Sequence, residues 1–147
     1  MAITFGVTVL PDPPYTRFLE LIELAEQQGF DYGWTYDSHV LWHESIPLLT
    51  LAAEHTSRMK LGHFVTNPGT RDPTVLASAY ATLHDISNGR MIMGIGRGDS
   101  ARRYIGQQPV KVAEFERRLA MIKPFMKSRI IAQERSNSAT FIGCLPM

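Results

Sequence analysis

The chain has 147 residues, the size of one ordinary domain, and its 44% hydrophobic and 20% charged residues exclude a disordered, collagen-like or coiled-coil protein. Fifteen basic residues against 14 acidic ones leave a net charge of +1, which indicates no nucleic-acid or membrane-surface partner. A single cysteine, Cys144, excludes an internal disulfide. The first residues lack the basic start of a signal peptide, and no apolar run approaches the roughly 18 residues that span a bilayer. We therefore expect a cytoplasmic protein.

Two units of strand and helix are predicted in the first 55 residues. β-branched residues predict a strand over residues 3–10, and the proline-rich run 11–14 ends it. An amphipathic helix begins at about Thr16. The second unit consists of a strand over residues 32–36 and a shorter, more apolar helix over residues 47–55.

Two further units follow in the same order. A strand over residues 60–66 precedes Asp72, which has the position of a helix N-cap. The residues of the following helix that are predicted to face inward are Val75, Leu76, Ala79, Leu83 and Ile86. The fourth unit has a strand over residues 90–95, a glycine-rich loop, and a helix over residues 112–127.

The predicted strands begin at positions 3, 32, 60 and 90, so they recur every 28 to 30 residues. This period is typical of successive strand–helix units, and the helical crossovers predict a parallel sheet. The sheet is either doubly wound or an arc of a (β/α)8 barrel, which needs about 250 residues when complete. Residues 128–147 show no fifth unit. We expect there an atypical tail that is disordered, covers a sheet edge, or is out of the reading frame of the rest.

Polar clusters follow the second, third and fourth predicted strands. They are Asp37-Ser38-His39, Thr66-Asn67-Pro68 and the run Gly-Arg-Gly-Asp-Ser at residues 96–100. Since the carboxyl ends of parallel strands and the loops after them form the functional rim of such folds, we expect a binding site there. Loops are polar in any case, so position alone assigns no chemistry.

These segments resemble the motifs of luciferase-like oxidoreductases. The resemblance rests on residues 29–37 (GFDYGWTYD), 61–73 (LGHFVTNPGTRDP) and 88–99 (NGRMIMGIGRGD), in order within about residues 3–127. The family comprises TIM-barrel enzymes that use FMN or the deazaflavin F420, and the likeness is strongest to its F420-dependent branch, which includes methylenetetrahydromethanopterin reductase. The resemblance implies that residues 1–127 form the first half of a TIM barrel, with about four βα repeats.

The resemblance also implies catalytic residues. Asp37 matches the carboxylate beside the reactive ring, where it orients the substrate or takes part in proton transfer. The family often has a histidine directly after this aspartate, whereas here Ser38 intervenes before His39, which we predict to contact the cofactor. Asp99 matches an acidic residue that acts as a general acid or holds a cofactor hydroxyl. From the residues alone, the alternative for Asp37 is a helix cap or a turn residue.

The other predicted cofactor-binding residues follow the third and fourth strands: Phe64, Val65, Thr66, Asn67, Gly96, Arg97 and Gly98. The resemblance implies a non-prolyl cis peptide between Phe64 and Val65, which forms a bulge under the middle ring of the cofactor. Gly96 and Gly98 allow the backbone to approach a flat ring or a phosphate closely, and Arg97 pairs with an anionic part of the cofactor.

Three rival interpretations of these segments are weaker. Residues 96–101 fit the G-x-G-x-x-A variant of the dinucleotide-binding motif, but they follow the fourth strand and not the first. The integrin tripeptide at residues 97–99 has no secretion signal to support it. His39 and His43 with Glu44 mimic a metal pair, but no third ligand is near in the sequence, so we predict no metal site.

We therefore predict an oxidoreductase that transfers a hydride between F420, or FMN, and a small organic substrate. An FMN-dependent monooxygenase is the alternative among enzymes. The alternative that is not an enzyme is a half-barrel without catalytic activity that associates with copies of itself. Under either interpretation we expect a homo-oligomer if the chain is stable.

Overall fold

The computed structural model describes residues 3–12, 14–131 and 141–143 of the chain. Strands and helices alternate along this part. The strands are β1 Gly6–Thr8, β2 Tyr32–Thr35, β3 Lys60–Thr66, β4 Met91–Ile95 and β5 Phe141–Gly143. The helices are α1 Tyr15–Gln27, α2 Ser45–His55, α3 Pro73–Ile86, α4 Ser100–Tyr104 and α5 Val112–Ile131. None of the described helices is long and apolar enough to cross a membrane.

The strands form one sheet in the order β1-β2-β3-β4-β5, and every neighbouring pair is parallel. This confirms the predicted parallel sheet of βα units. Because all strands run the same way, the loops after β2, β3 and β4 lie at one edge of the sheet, where the polar clusters of the sequence come together.

The core lies between one face of the sheet and the helices. Its buried residues come from every layer of the fold, among them Ile22, Leu49, Leu61, Leu76 and Ile122. The other face carries an aromatic row, in which the rings of Tyr32 and Trp34 stack with centroids 5.7 Å apart and Phe64 follows at 5.8 Å from Trp34. Phe64 is 54% exposed, so this face is covered much less than the helical face.

Two short elements were not located by the sequence prediction. The helix α4 was not expected. The strand β5 lies within the predicted tail and pairs in parallel with β4, so it covers that edge of the sheet, which is one of the three alternatives expected for the tail. Both elements have five residues or fewer, which is too short for a periodic pattern to reveal. The helix α5 also continues to Ile131, beyond its predicted end at residue 127. Residues 132–140 and 144–147 of the predicted tail lie outside the described residues.

The buried face of α3 is shifted from its predicted position. Val75 is 58% exposed, although the sequence pattern predicts it inside. The face that packs on the sheet contains Leu76, Ala77, Tyr80 and Leu83. Most of this helix is apolar, so hydrophobicity distinguishes its buried face from its exposed face poorly. Tyr80 is also buried, but its polar hydroxyl makes it difficult to recognise as a core residue from the sequence.

Arg90 ties β4 to the end of α2, and its removal should destabilise the fold. Its guanidinium donates to the Thr56 hydroxyl at 2.8 Å and to the carbonyls of Met59, Ala53 and Thr56 at 3.0, 2.7 and 2.9 Å. Arg90→Leu leaves these acceptors without a donor, so we expect the free energy of unfolding to fall by about 2–4 kcal/mol. Arg90→Lys should recover only part of this loss, because lysine lacks the planar fork. Urea denaturation measures both variants, and a loss below about 0.5 kcal/mol for the leucine variant would contradict the assignment.

Candidate active site

A cavity of about 660 Å³ opens at the carboxyl ends of β2, β3 and β4. Its volume lies within the range of small-molecule sites. The predicted site residues that line it are Asp37, Phe64, Val65, Thr66, Asn67, Gly96, Arg97, Gly98 and Asp99. His39 is exposed in the turn after Ser38 and is not among these lining residues. The structure thus brings together nine of the ten predicted residues.

A backbone bulge at the end of β3 forms one wall of this cavity. The peptide bond between Phe64 and Val65 is cis, which confirms the expectation drawn from the sequence motif. The pairing of β3 with β4 shifts at this point, since His63 is opposite Met93 while Thr66 is opposite Ile95. The bulge places Val65 in the cavity wall and turns Thr66 toward Asp37.

The loop after β4 presents bare backbone to the same cavity. A Cβ atom on Gly96 would lie 3.0 Å from Val65, and one on Gly98 would lie 2.6 Å from the Asn67 side chain. Gly98 also has a φ of +74°, which favours glycine. The backbone at Gly96 and Gly98, from which side chains are excluded, thus forms one surface together with the bulge at Phe64–Val65, and we call this surface the cradle. A flat ring can approach the peptide groups of the cradle directly. These features fit a flavin-type ring.

Asp37 is held on both carboxylate oxygens. Its Oδ1 accepts from the Ser45 hydroxyl at 3.1 Å, and its Oδ2 accepts from Thr66 and from the Arg71 guanidinium, each at 2.5 Å. The side chain is only 1% exposed. Burial raises the pKa of Asp37, but attraction to a protonated His63, the donors and charge of Arg71 and the Thr66 hydroxyl together outweigh burial, so the pKa lies below its usual value. Asp37 is thus an ionised carboxylate at neutral pH.

Arg71 connects Asp37 to the surface. Its second guanidinium nitrogen binds Glu44 at 2.5 Å, and the Glu44 carboxylate also accepts the backbone N–H of Ile46 in the first turn of α2. Sequence reasoning did not assign a role to Arg71, although this residue lies within the motif of residues 61–73. Nor did it assign one to Ser45, which stands at a helix start without any motif.

Asp99 is the accessible carboxyl group of the cavity. Its side chain is 68% exposed and pairs with Arg103 one helical turn further on. It immediately precedes α4, yet its side chain makes no capping hydrogen bond. Asp37 and Asp99 therefore differ in kind: the first is buried and held by three donors, and the second faces solvent at the cavity edge.

The remaining polar residues of the cavity also stabilise its loops. The Asn67 Oδ1 accepts the backbone N–H groups of Gly69 and Thr70, so Asn67 both shapes the turn and lines the cavity. The Nε of Arg97 donates to the carbonyl of Val110 at 2.6 Å. Across the opening, the hydroxyls of Ser38 and Ser100 lie 3.0 Å apart and join the loops after β2 and β4. Hydrogen bonds thus link the walls of the cavity to one another.

Comparison with known proteins agrees with this geometry. Residues 2–127 match the model of the luciferase-like monooxygenase family. The chain is 48% identical over 99 residues to 5,10-methylenetetrahydromethanopterin reductase of Methanopyrus kandleri, and this alignment covers 67% of this chain and 28% of the reductase. It is 36% identical over 123 residues to an F420-dependent glucose-6-phosphate dehydrogenase of Mycolicibacterium fortuitum, and this alignment covers 76% of this chain and 35% of the dehydrogenase.

Structural comparison leads to the same group of proteins. The coenzyme F420-dependent tetrahydromethanopterin reductase of Methanopyrus kandleri matches with a TM-score of 0.74 and 34% identity. The match covers 87% of this chain and 40% of that one. The chain thus spans well under half the length of these relatives, and its parallel βα units correspond to part of their TIM barrel. The chain belongs to the luciferase-like monooxygenase family.

Proposed function

We propose that the cavity binds the ring of deazaflavin F420, and that the chain serves an oxidoreductase that transfers a hydride between F420 and a small organic substrate. The observation that carries this proposal is the cradle formed by the cis peptide at Phe64–Val65 and the bare backbone at Gly96 and Gly98. The relatives support the choice of cofactor, since the names of both the dehydrogenase and the structurally similar reductase specify F420.

Different residues of the chain would bind such a ring, provide a fixed charge beside it and exchange a proton with the substrate. Bound F420 supplies the carbon that accepts or donates the hydride. Val65 and the glycine backbone hold one side of the ring and exclude water from it. Asp37 contributes a fixed negative charge at the cavity wall, because its low pKa leaves it without a proton to give at neutral pH. Asp99, exposed at the edge, is the carboxyl group that can exchange a proton with the substrate.

A titration distinguishes F420 from FMN. Each cofactor is added to the purified chain, and binding is followed by quenching of its fluorescence. We expect F420 to bind at least about tenfold more tightly, a difference of about 1.4 kcal/mol. Tighter binding of FMN, with oxygen consumed when the bound FMN is reduced, would instead identify the FMN-dependent monooxygenase. No quenching by either cofactor would contradict the proposal as a whole.

A non-catalytic, self-associating half-barrel is the second candidate function. The observation that favours it is the exposed apolar start of the chain, where Ile3 and Phe5 are 79% and 60% exposed beside the edge strand β1. Edge strands readily pair with a second copy. Sedimentation velocity across a concentration series tests this candidate: a dimer that binds no cofactor would support it, and a monomer at all concentrations would contradict it.

A further inference from the structure

A row of hydrogen-bonded side chains runs from Asp37 into the core on the side away from the cavity. Asp37 Oδ1 contacts the Ser45 hydroxyl, Ser45 contacts His63 Nε2 at 2.7 Å, and His63 Nδ1 contacts the Tyr80 hydroxyl. The four residues come from the loop after β2 and from α2, β3 and α3, so the row joins the second and third βα units. His63 is 0% exposed and Tyr80 and Ser45 are each 1% exposed.

Chemistry fixes the direction of every bond in this row. An ionised Asp37 can only accept, so the one hydroxyl proton of Ser45 points to Asp37. Ser45 must then accept from His63, which therefore carries its proton on Nε2. The bare Nδ1 of His63 in turn accepts from the Tyr80 hydroxyl. All three protons thus point toward Asp37, and each bond strengthens the next.

The row keeps this direction because His63 is neutral. Complete burial lowers the pKa of His63 to about 4, so the imidazole carries no charge at pH 7. Burial likewise raises the pKa of Tyr80 well above its usual value, so its hydroxyl keeps the proton that it donates. The charged groups that act on His63 are Asp37, Arg71 and Glu44. Ser45, His63 and Tyr80 are each at most 1% exposed, so the inner end of the row offers protons no path to bulk water.

We propose that His63 and Tyr80 are positioning residues that act through Ser45 to hold the Asp37 carboxylate in one orientation at the cavity wall. The inference rests on the proposed function only in that Asp37 belongs to the F420 site. A purely structural role would require these groups to pack and to satisfy one another. A positioning role also requires that a change at Tyr80 reach Asp37, which lies three hydrogen bonds away.

The tautomer of His63 is the first test, and it needs no variant. The chain is labelled with 15N-histidine without cofactor, and its ring nitrogens are observed at pH 7. We expect His63 to carry its proton on Nε2, with Nδ1 as a hydrogen-bonded acceptor. A proton on Nδ1 would reverse the row and overturn the inference.

The second test measures the pKa of the Asp37 carboxyl group by 13C NMR in three variants. Ser45→Ala removes a donor from Asp37 directly, and we expect the pKa to rise by about one pH unit. Tyr80→Phe keeps the ring but removes the hydroxyl, and should give a smaller rise in the same direction. Tyr15→Phe, a matched change at an exposed tyrosine of α1, should give none.

The order of these three values decides the matter. If the pKa of Asp37 is the same in Tyr80→Phe as in Tyr15→Phe, the role of Tyr80 is only structural and the inference fails. Should Ser45→Ala not fold, the tautomer and the Tyr80→Phe measurement still decide it. Because all readouts use the chain without cofactor, their failure leaves the F420 proposal intact, and a failure of F420 to bind leaves this inference standing.

Discussion

Replacing Arg71 with leucine should lower the free energy of unfolding by about 3–5 kcal/mol at pH 7, the cost of leaving a buried carboxylate without its cation. Asp37 is 1% exposed and Arg71 is 16% exposed, so solvent does little to screen the charge that remains. The loss should be seen in urea denaturation as a lower midpoint with an unchanged slope.

The pH dependence of this loss identifies its cause. In the unchanged chain the pKa of Asp37 is lowered by folding, so its contribution to stability is present above the unfolded pKa and is lost as the pH falls through the folded pKa. In Arg71→Leu, burial should raise the pKa of Asp37, so this carboxylate takes up a proton as the pH falls from 7 toward 4. The difference in the free energy of unfolding between the variant and the parent should therefore become smaller over this range. A difference that stays constant with pH would indicate lost packing instead. Arg17→Leu removes the cation of an exposed pair with Glu20 and should change stability little.

Asp99→Asn should lower kcat by a factor on the order of 10²–10⁴ in any form of this protein that turns F420 over. Asparagine preserves the size of the side chain and can still accept from Arg103, but it cannot donate or accept the proton that the reaction moves. Because Asp99 is exposed and its side chain makes no capping hydrogen bond to α4, the melting temperature should not change.

The matched control for Asp99 is Asp12→Asn, which makes the same chemical change at an exposed carboxyl group that lies beside α1 and not in the candidate site. Its kcat should equal that of the parent. An undiminished kcat in Asp99→Asn would contradict a catalytic role and leave Asp99 only its ion pair with Arg103.

Much of the fold follows from local sequence. The strand β3 has the predicted bounds and ends at the Asn-Pro-Gly stop, and α3 begins at Pro73 because Asp72 accepts the N–H of Thr74. The strand β5 could not be predicted in this way. It has three residues, and it is defined by its pairing with β4, a distant segment whose position the local pattern does not specify.

The site was predictable on the cavity side and not on the helical side. Asp37, Asn67 and Gly98 follow successive strands of a parallel sheet, so their proximity is a consequence of topology. The side chains of His63 in β3 and Tyr80 in α3 meet in the buried core, where a sequence pattern predicts apolar packing. Their partnership depends on which residue of α3 meets β3, and the apolar character of α3 leaves that rotation open.

Mapping F420 onto the amide resonances of the 15N-labelled chain tests the central claim, that the cavity after β2, β3 and β4 is a cofactor site. The account predicts that added F420 shifts the amides of Val65, Thr66, Gly96 and Gly98, while those around the apolar groove beside α1, such as Val7 and Leu24, stay in place. Shifts confined to the groove beside α1, or no shifts at saturating F420, would contradict it.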